Sequence, residues 1–170
     1  MISKKKFNAK KFAQISMLSA LTVVLSFLEG MLPELPVPGA KLGLANLAVM
    51  TATDLYGISG GISTTFVKAF FAVITRGPVA GLMSFSGSML SMFMMWFFMN
   101  YDKNKLGYVG IGVVGAVSHN MGQLGAAFLM MNSAVLFYVP FLIIAAVFTG
   151  AFTGIVNSLL LPIIKKSEYR

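Results

Sequence analysis

Apolar runs of helical length alternate along this chain with short clusters of proline, glycine and charge. A helix needs about 20 mostly apolar residues to cross a hydrocarbon core. Six segments approach that pattern: Phe12–Leu32, Leu42–Tyr56, Ile58–Thr75, Val79–Met99, Gly107–Met131 and Ala134–Ile164. The second is short and ends near Asp54, and polar residues interrupt the third. Both are open to a tilted or partly re-entrant reading, provided other helices shield the backbone. The pattern predicts an all-α integral membrane protein, a six-transmembrane-helix bundle. Residues 12–164 form its single transmembrane domain, between a basic cytoplasmic N-terminus at 1–11 and a cytoplasmic tail at 165–170.

The break between the first two segments reads PELPVPGAKLGLAN, residues 33–46. Pro33, Pro36 and Pro38 stop the first helix and bias the connection to extended backbone. Gly39 and Gly43 permit tight turning. A second helix beginning near Lys41 would aim its positive N-terminal end at the same space and favour an anion there. The stretch reads as the rim of a pocket, with Lys41 and Asn46 on it.

Charge orients the bundle. Lys4, Lys5, Lys6, Lys10, Lys11, Lys103, Lys105, Lys165, Lys166 and Arg170 all fall on one side of six spans. Only Lys41 and Arg76 fall on the other, and Lys68 lies inside the third segment. Cytoplasmic loops carry the excess of Lys and Arg, so both termini are expected in the cytoplasm of a multi-pass cell-membrane protein. Glu29, Glu34, Lys41 and Arg76 are then expected on the outer side.

Composition agrees: 57% of residues are hydrophobic and 11% charged, with mean hydropathy +0.83. A soluble domain carries about 25% charged residues. The net charge of +8 would suit nucleic acid only as a basic stripe on a soluble face. Here the basic residues flank apolar spans, so no nucleic-acid partner is expected. The basic start followed by an apolar run resembles a signal peptide. That run is long for one and lacks an A-x-A cleavage pattern, so it reads as a retained first helix.

Small residues recur at helical spacing: Ala146, Gly150 and Gly154; Gly115, Ser118, Gly122 and Gly125; Ser84, Ser88 and Ser91; Ser16 and Ala20. They let helices approach closely, and ordinary internal packing explains them without a partner protein.

Ionisable groups inside spans are costly and mark function or pairing. Glu29 lies about one turn from the outer end of the first helix, where it either snorkels or faces a pocket. Lys41 and Arg76 sit at outer helix ends, where anchoring at lipid headgroups is the plainer role. Asp54 and Lys68 could pair, although their depths differ. Thr64, Thr65, Lys68, Ala72 and Thr75 share a stripe that must face protein or water.

The densest polar signal is VSHNMGQLG, residues 117–125. His119 and Gln123 are four apart and share a helix face, with Asn120 one step round. A lone histidine is most simply a hydrogen-bonded structural group. Three large polar side chains in mid-span nonetheless point to a surface facing a ligand. Together Glu29, Lys41, Asn46, Arg76, His119, Asn120 and Gln123 would line the outer half of one bundle. Such a pocket suits a small anionic or zwitterionic solute with an apolar body.

The residues present also exclude chemistries. Cysteine is absent and histidine occurs once, so thiolate sites and two-histidine metal or haem sites are ruled out. GAKLGLAN lacks the spacing of a P-loop. Isolated acidic residues are a poor cradle for a magnesium diphosphate. A serine–histidine hydrolase would need an orienting third group near His119, and Glu29 is the one nearby candidate. The chain is not expected to be an enzyme, and no cofactor or resident metal is expected.

Four motifs carry a family resemblance. The Glu29-x₃-Pro33 close of the first helix, PGAKLGLAN (38–46), TRGPVAGLMSFSGSMLS (75–91) and GAVSHNMGQL (115–124) resemble the Gx transporter family. That family is also called heptaprenyl diphosphate synthase component I-like. It is similar to the substrate-binding S components of energy-coupling factor (ECF) vitamin transporters. The resemblance implies a six-helix, ECF S-component-like fold with an outward pocket for a vitamin- or cofactor-like solute. It also implies a partner, an ECF-type coupling protein with ATPases. Ser16 and Ala20 correspond to the small-residue coupling surface of S components, without its AxxxA form. The synthase name implies instead an accessory role beside a prenyl synthase in isoprenoid-quinone synthesis. Similar proteins also occur near flavin-based extracellular electron transfer. Three readings follow: a transport component that binds a small-molecule solute among membrane lipid, a non-catalytic accessory subunit, and a structural protein whose polar residues only pair with one another.

Overall fold

A computed structural model describes residues 9–31, 43–101, 103–131 and 133–168. Six α-helices make up nearly all of it: α1 (Ala9–Met31), α2 (Leu44–Tyr56), α3 (Ile58–Arg76), α4 (Pro78–Tyr101), α5 (Lys103–Met131) and α6 (Val139–Glu168). The expected segments are all present as helices, most with shifted ends, and α5 is broken at Gly107 (φ 61), where the fifth segment was expected to begin. A 3₁₀ turn, Ser133–Tyr138, occupies the start expected for the sixth. The α-helix begins only at Val139, with Pro140 in its first turn, where the missing N–H loses no helical partner. At the other end α6 runs past Ile164 to Glu168.

Among the described residues, α1, α3, α4 and the segment Leu136–Lys166 are long and apolar enough to cross a membrane. α2 has 13 residues, about 20 Å at 1.5 Å per residue, which is less than the hydrocarbon thickness. Its position compensates. α2 touches all five other helices, which form an arc in the order α1, α3, α4, α5, α6. Seven of the nine α2 residues from Ala45 to Thr53 are buried, all but Asn46 and Leu47. Protein, not lipid, surrounds its backbone. The outward faces of the arc carry large apolar side chains, among them Phe27, Phe70, Phe93, Phe148 and Ile163. Exposed apolar surface on this scale is a lipid-facing belt, and the chain is a membrane protein.

Single glycines make the turns on either side of α3. Gly57 (φ 66) joins α2 to α3 and Gly77 (φ 88) joins α3 to α4. Positive φ in one-residue connections is conformationally cheap only for glycine. Pro78 then opens α4, where its fixed φ suits the first helical position.

The small residues have unequal uses. Gly150 and Gly154 of α6 lie against the α5 backbone at Gly112, Val113, Tyr108 and Val109. The GxxxG of α6 is therefore spent inside the chain. Ser84, Ser88 and Ser91 form the buried stripe of α4. On α1, Ser19, Thr22 and Ser26 are buried, whereas Ser16 and Ala20 are exposed. The reading of Ser16 and Ala20 as an internal packing pair is corrected: Ser19, Thr22 and Ser26, about a quarter-turn round α1, do that packing.

The apolar core is Val49 and Met50 of α2, Met92 and Met95 of α4, and Ile111 of α5. Polar contacts join α2 to α6. The buried Asn157 amide hydrogen-bonds the Thr51 hydroxyl at 2.8 Å, and its Nδ2 donates to the Leu47 carbonyl at 3.4 Å. Lys165 Nζ donates to Asp54 Oδ2 at 2.8 Å, and the Tyr108 hydroxyl donates to the same oxygen at 3.3 Å. Asp54 thus has its cation on α6, and a pairing with Lys68 is not what the structure contains.

Candidate functional site: a polar cavity inside the bundle

At the end of the bundle where α1 stops and α2 starts, a cavity of about 100 Å³ opens between the helices. Glu29 of α1, Asn46 of α2, Arg76 of α3, and His119, Asn120 and Gln123 of α5 all line it. These are six of the seven residues singled out in the sequence. The seventh, Lys41, lies outside the described residues, as do Glu34 and the prolines of the connecting stretch.

Each side chain is placed for a local reason. α2 begins at Leu44, capped by Gly43 in the left-handed conformation (φ 75). The expected start near Lys41 is thus a turn too early. A glycine cap has no side chain to satisfy the first N–H groups of a helix. Glu29 of α1 does this instead: the Gly43 N–H donates to Glu29 Oε1 at 2.5 Å. The anion at the positive end of α2 is therefore one the chain supplies. One turn on, Asn46 Oδ1 accepts a hydrogen bond from Lys68 Nζ at 2.6 Å.

Lys68 was read from the sequence as part of a stripe and not as a pocket residue. It is 5% exposed and lines the cavity. Its neighbours Thr64, Thr65 and Ala72 are buried as the stripe predicts, while Thr75 is exposed. The signal for Lys68 was present: it is the one ionisable residue in the interior of α3, and such residues face a cavity or a partner. The Glu29 carboxylate interacts with it electrostatically. Ser26, Ser84 and Thr149 add hydroxyls to the lining; their small side chains carried no separate signal.

The α5 polar cluster divides its roles. Asn120 Nδ2 donates to the Leu142 carbonyl at 2.9 Å, tying α5 to α6. His119 is 8% exposed, and its Nδ1 has no hydrogen-bond partner among the described residues. Gln123 is half-buried beside the cavity. The α4–α5 crossing at this point depends on Gly87. A Cβ there would sit 2.6 Å from Gln123 Cγ and 2.7 Å from the His119 carbonyl oxygen. Glycine on α4 is what lets α5 present both side chains to the cavity.

A second polar cleft, of about 260 Å³, lies at the opposite end, lined by Thr53, Asp54, Gly57, Trp96, Met99, Asn100 and Lys165. The Met50–Met92–Met95 core separates it from the first cavity. No group of three or more acidic or histidine side chains suited to a metal occurs among the described residues.

The first cavity is a converging set of amide, hydroxyl, imidazole and charged groups inside a membrane bundle. It can hold a polar or anionic group. Searches of curated proteins and of solved structures give no match. A family model, heptaprenyl diphosphate synthase component I, matches residues 18–160. That span runs from α1 to α6 and takes in all the residues that line the cavity. The chain belongs to the heptaprenyl diphosphate synthase component I family.

Proposed function

We propose that this protein is the solute-binding membrane component of a transport system. It takes up a small, anionic or cofactor-like solute in the polar cavity, which opens to the outside. The single observation that carries this reading is the cavity itself. Lys68, a buried ammonium, and the polar side chains of five other helices or turns converge on one space at one end of a membrane bundle. Buried polar groups of this cost are retained in membrane proteins where a ligand or ion path uses them.

The charge distribution supports the orientation. With six spans, both termini lie in the cytoplasm and the cavity opens on the other face. α2 counts as a span although it is short, since α1, α3, α4, α5 and α6 shield it. The protein would not be an enzyme. Transport would be energised by a partner, because the chain has no P-loop. An ECF-type coupling protein with its ATPases fits an S-component-like fold.

The family's name supports a second reading, a non-catalytic accessory subunit beside a prenyl diphosphate synthase. One purification separates the two. The chain is extracted gently from its native membrane, and co-purifying proteins and small molecules are identified by mass spectrometry. Transport predicts an ATPase-bound coupling protein and a polar solute that Lys68→Met loses. A prenyl synthase as the partner, with quinone lost and solute uptake intact on gene deletion, would replace the transport reading with the accessory one.

A further inference from the structure

The seat at the start of α2 has the features of an anion site that is already filled. Gly43 caps the positive end of α2 and lines the cavity. Lys68 and Asn46 stand next to it, joined at 2.6 Å. Arg76 lines the same space from the end of α3. The carboxylate of Glu29 reaches across from α1 to take the Gly43 N–H. Opposite, the buried His119 Nδ1 has no hydrogen-bond partner among the described residues, and His119 lines the same cavity. That polar atom is independent of the helix end, and a solute polar group reaching it would complete its hydrogen bonding.

Among the described residues, two cations, Lys68 and Arg76, line the cavity with one carboxylate, Glu29. One further negative charge would complete the set, or would take the place of Glu29 while Glu29 swings toward the open end. Glu29 is only half-buried and sits within the last turn of α1, so its side chain has somewhere to go. The Lys68 ammonium is held deep by Asn46 and does not.

Resting on the solute-binding reading of this cavity, we infer that the solute carries a carboxylate, and that Glu29 is an internal stand-in which this carboxylate displaces. The incoming group takes the Gly43 N–H and lies against Lys68. The uncharged remainder of the solute meets His119 and Gln123. Glu29 thereby works against binding. It is a built-in competitor that keeps the helix end satisfied while the site waits, and its release loosens the tie between α1 and α2.

The prediction has an unusual sign. A plain contact residue weakens binding when removed, whereas Glu29 should strengthen it. The test uses the purified full chain in detergent, with thermal unfolding read against sodium acetate, propionate and benzoate at constant ionic strength made up with chloride. Glu29→Gln keeps an acceptor for the Gly43 N–H, so the α2 cap survives while the charge is gone. The expected result is that carboxylates stabilise Glu29→Gln at about tenfold lower concentration than wild type. Adding Lys68→Met to Glu29→Gln should abolish the response.

Equal responses of wild type and Glu29→Gln would overturn the displacement, while leaving the cavity a solute site. Stabilisation by methylammonium that Glu29→Gln loses would also overturn it, making Glu29 a receptor for cations. Inorganic phosphate acting where carboxylates do not would overturn the carboxylate class. No response to any carboxylate in either protein would overturn the inference as a whole. The transport reading fails separately, if no small molecule that depends on Lys68 travels with the native protein.

Discussion

Lys68 decides the character of the cavity more than any other residue. Its ammonium is buried and held by Asn46, and the carboxylate of Glu29 acts on it. Removing one partner of a buried charge contact leaves the other unsatisfied, here Asn46 Oδ1 and the Glu29 carboxylate. Lys68→Met is therefore expected to destabilise the fold by about 1–3 kcal/mol. Retention of the co-purified solute should fall at least about tenfold, since a hydrogen-bonded charge contact is lost. Thermal unfolding and ligand mass spectrometry on one preparation check both halves. The sequence made His119, Asn120 and Gln123 legible because three large polar side chains crowd one stretch of an apolar helix. Lys68 was harder to place. A lone lysine amid threonines says that its face is shielded, but which space it faces depends on where α2 puts Asn46. No local pattern contains that. Asp54 was misjudged for the same reason: its partner Lys165 is far away in sequence, on the last turns of a helix expected to end sooner.

At the scale of helices, two joints hold the arc around α2, and they are built differently. The α5–α6 joint is a backbone contact made by glycines. Gly150→Leu would drive a side chain into Gly112 and Val113, an overpacking that costs about 1–3 kcal/mol. Gly125, which has open space where a Cβ would stand, provides the control, and Gly125→Leu should be nearly neutral. Thermal unfolding of the two variants should separate them clearly. The α2–α6 joint is polar. The Asp54 side chain is 4% exposed and that of Lys165 is 42% exposed. Lys165→Met should destabilise more than the double variant Asp54→Asn with Lys165→Met, because the single change leaves a shielded carboxylate without its cation. A double-mutant cycle measures the difference, for which about 1 kcal/mol is expected given the exposure of Lys165. Helix order and number were legible from apolar length. The central place of α2 was not, since a 13-residue apolar segment reads alike as a buried core helix or a marginal span. Gly43, an ordinary breaker in the sequence, becomes the cap that receives Glu29 only once α1 and α2 are side by side.

The whole molecule has an electrical direction: basic ends and one basic connection on one face, and the cavity at the other. The chain lacks cysteine, so a single introduced cysteine reports its own side of the membrane. In intact cells, Thr75→Cys is expected to react with a membrane-impermeant thiol reagent. Lys166→Cys should react only after the membrane is opened. The reverse pattern would turn the cavity toward the cytoplasm and remove uptake from outside as its purpose. At this scale the sequence supplies the expectation that the labelling tests, because topology is read from where lysine and arginine flank long apolar runs. The space enclosed by the helices was less accessible, since it depends on the depth at which each one stops.

The core that separates the two polar clefts is made largely of thioethers. Met50, Met92 and Met95 are almost wholly buried, while Met83 borders the upper cavity and Met99 the lower cleft. Oxidation turns a flexible apolar methionine into a polar sulfoxide, and aqueous peroxide reaches only sulfur that water can approach. In a bilayer, Met83 and Met99 should therefore oxidise first. Met17, the most exposed methionine among the described residues at 73%, should resist, because what it faces is lipid. Peptide mass spectrometry after a short peroxide pulse would map which surfaces are wet. Sulfoxide at Met50 or Met95 would appear last, and it would mark the point at which the barrier between the two sides begins to let water through.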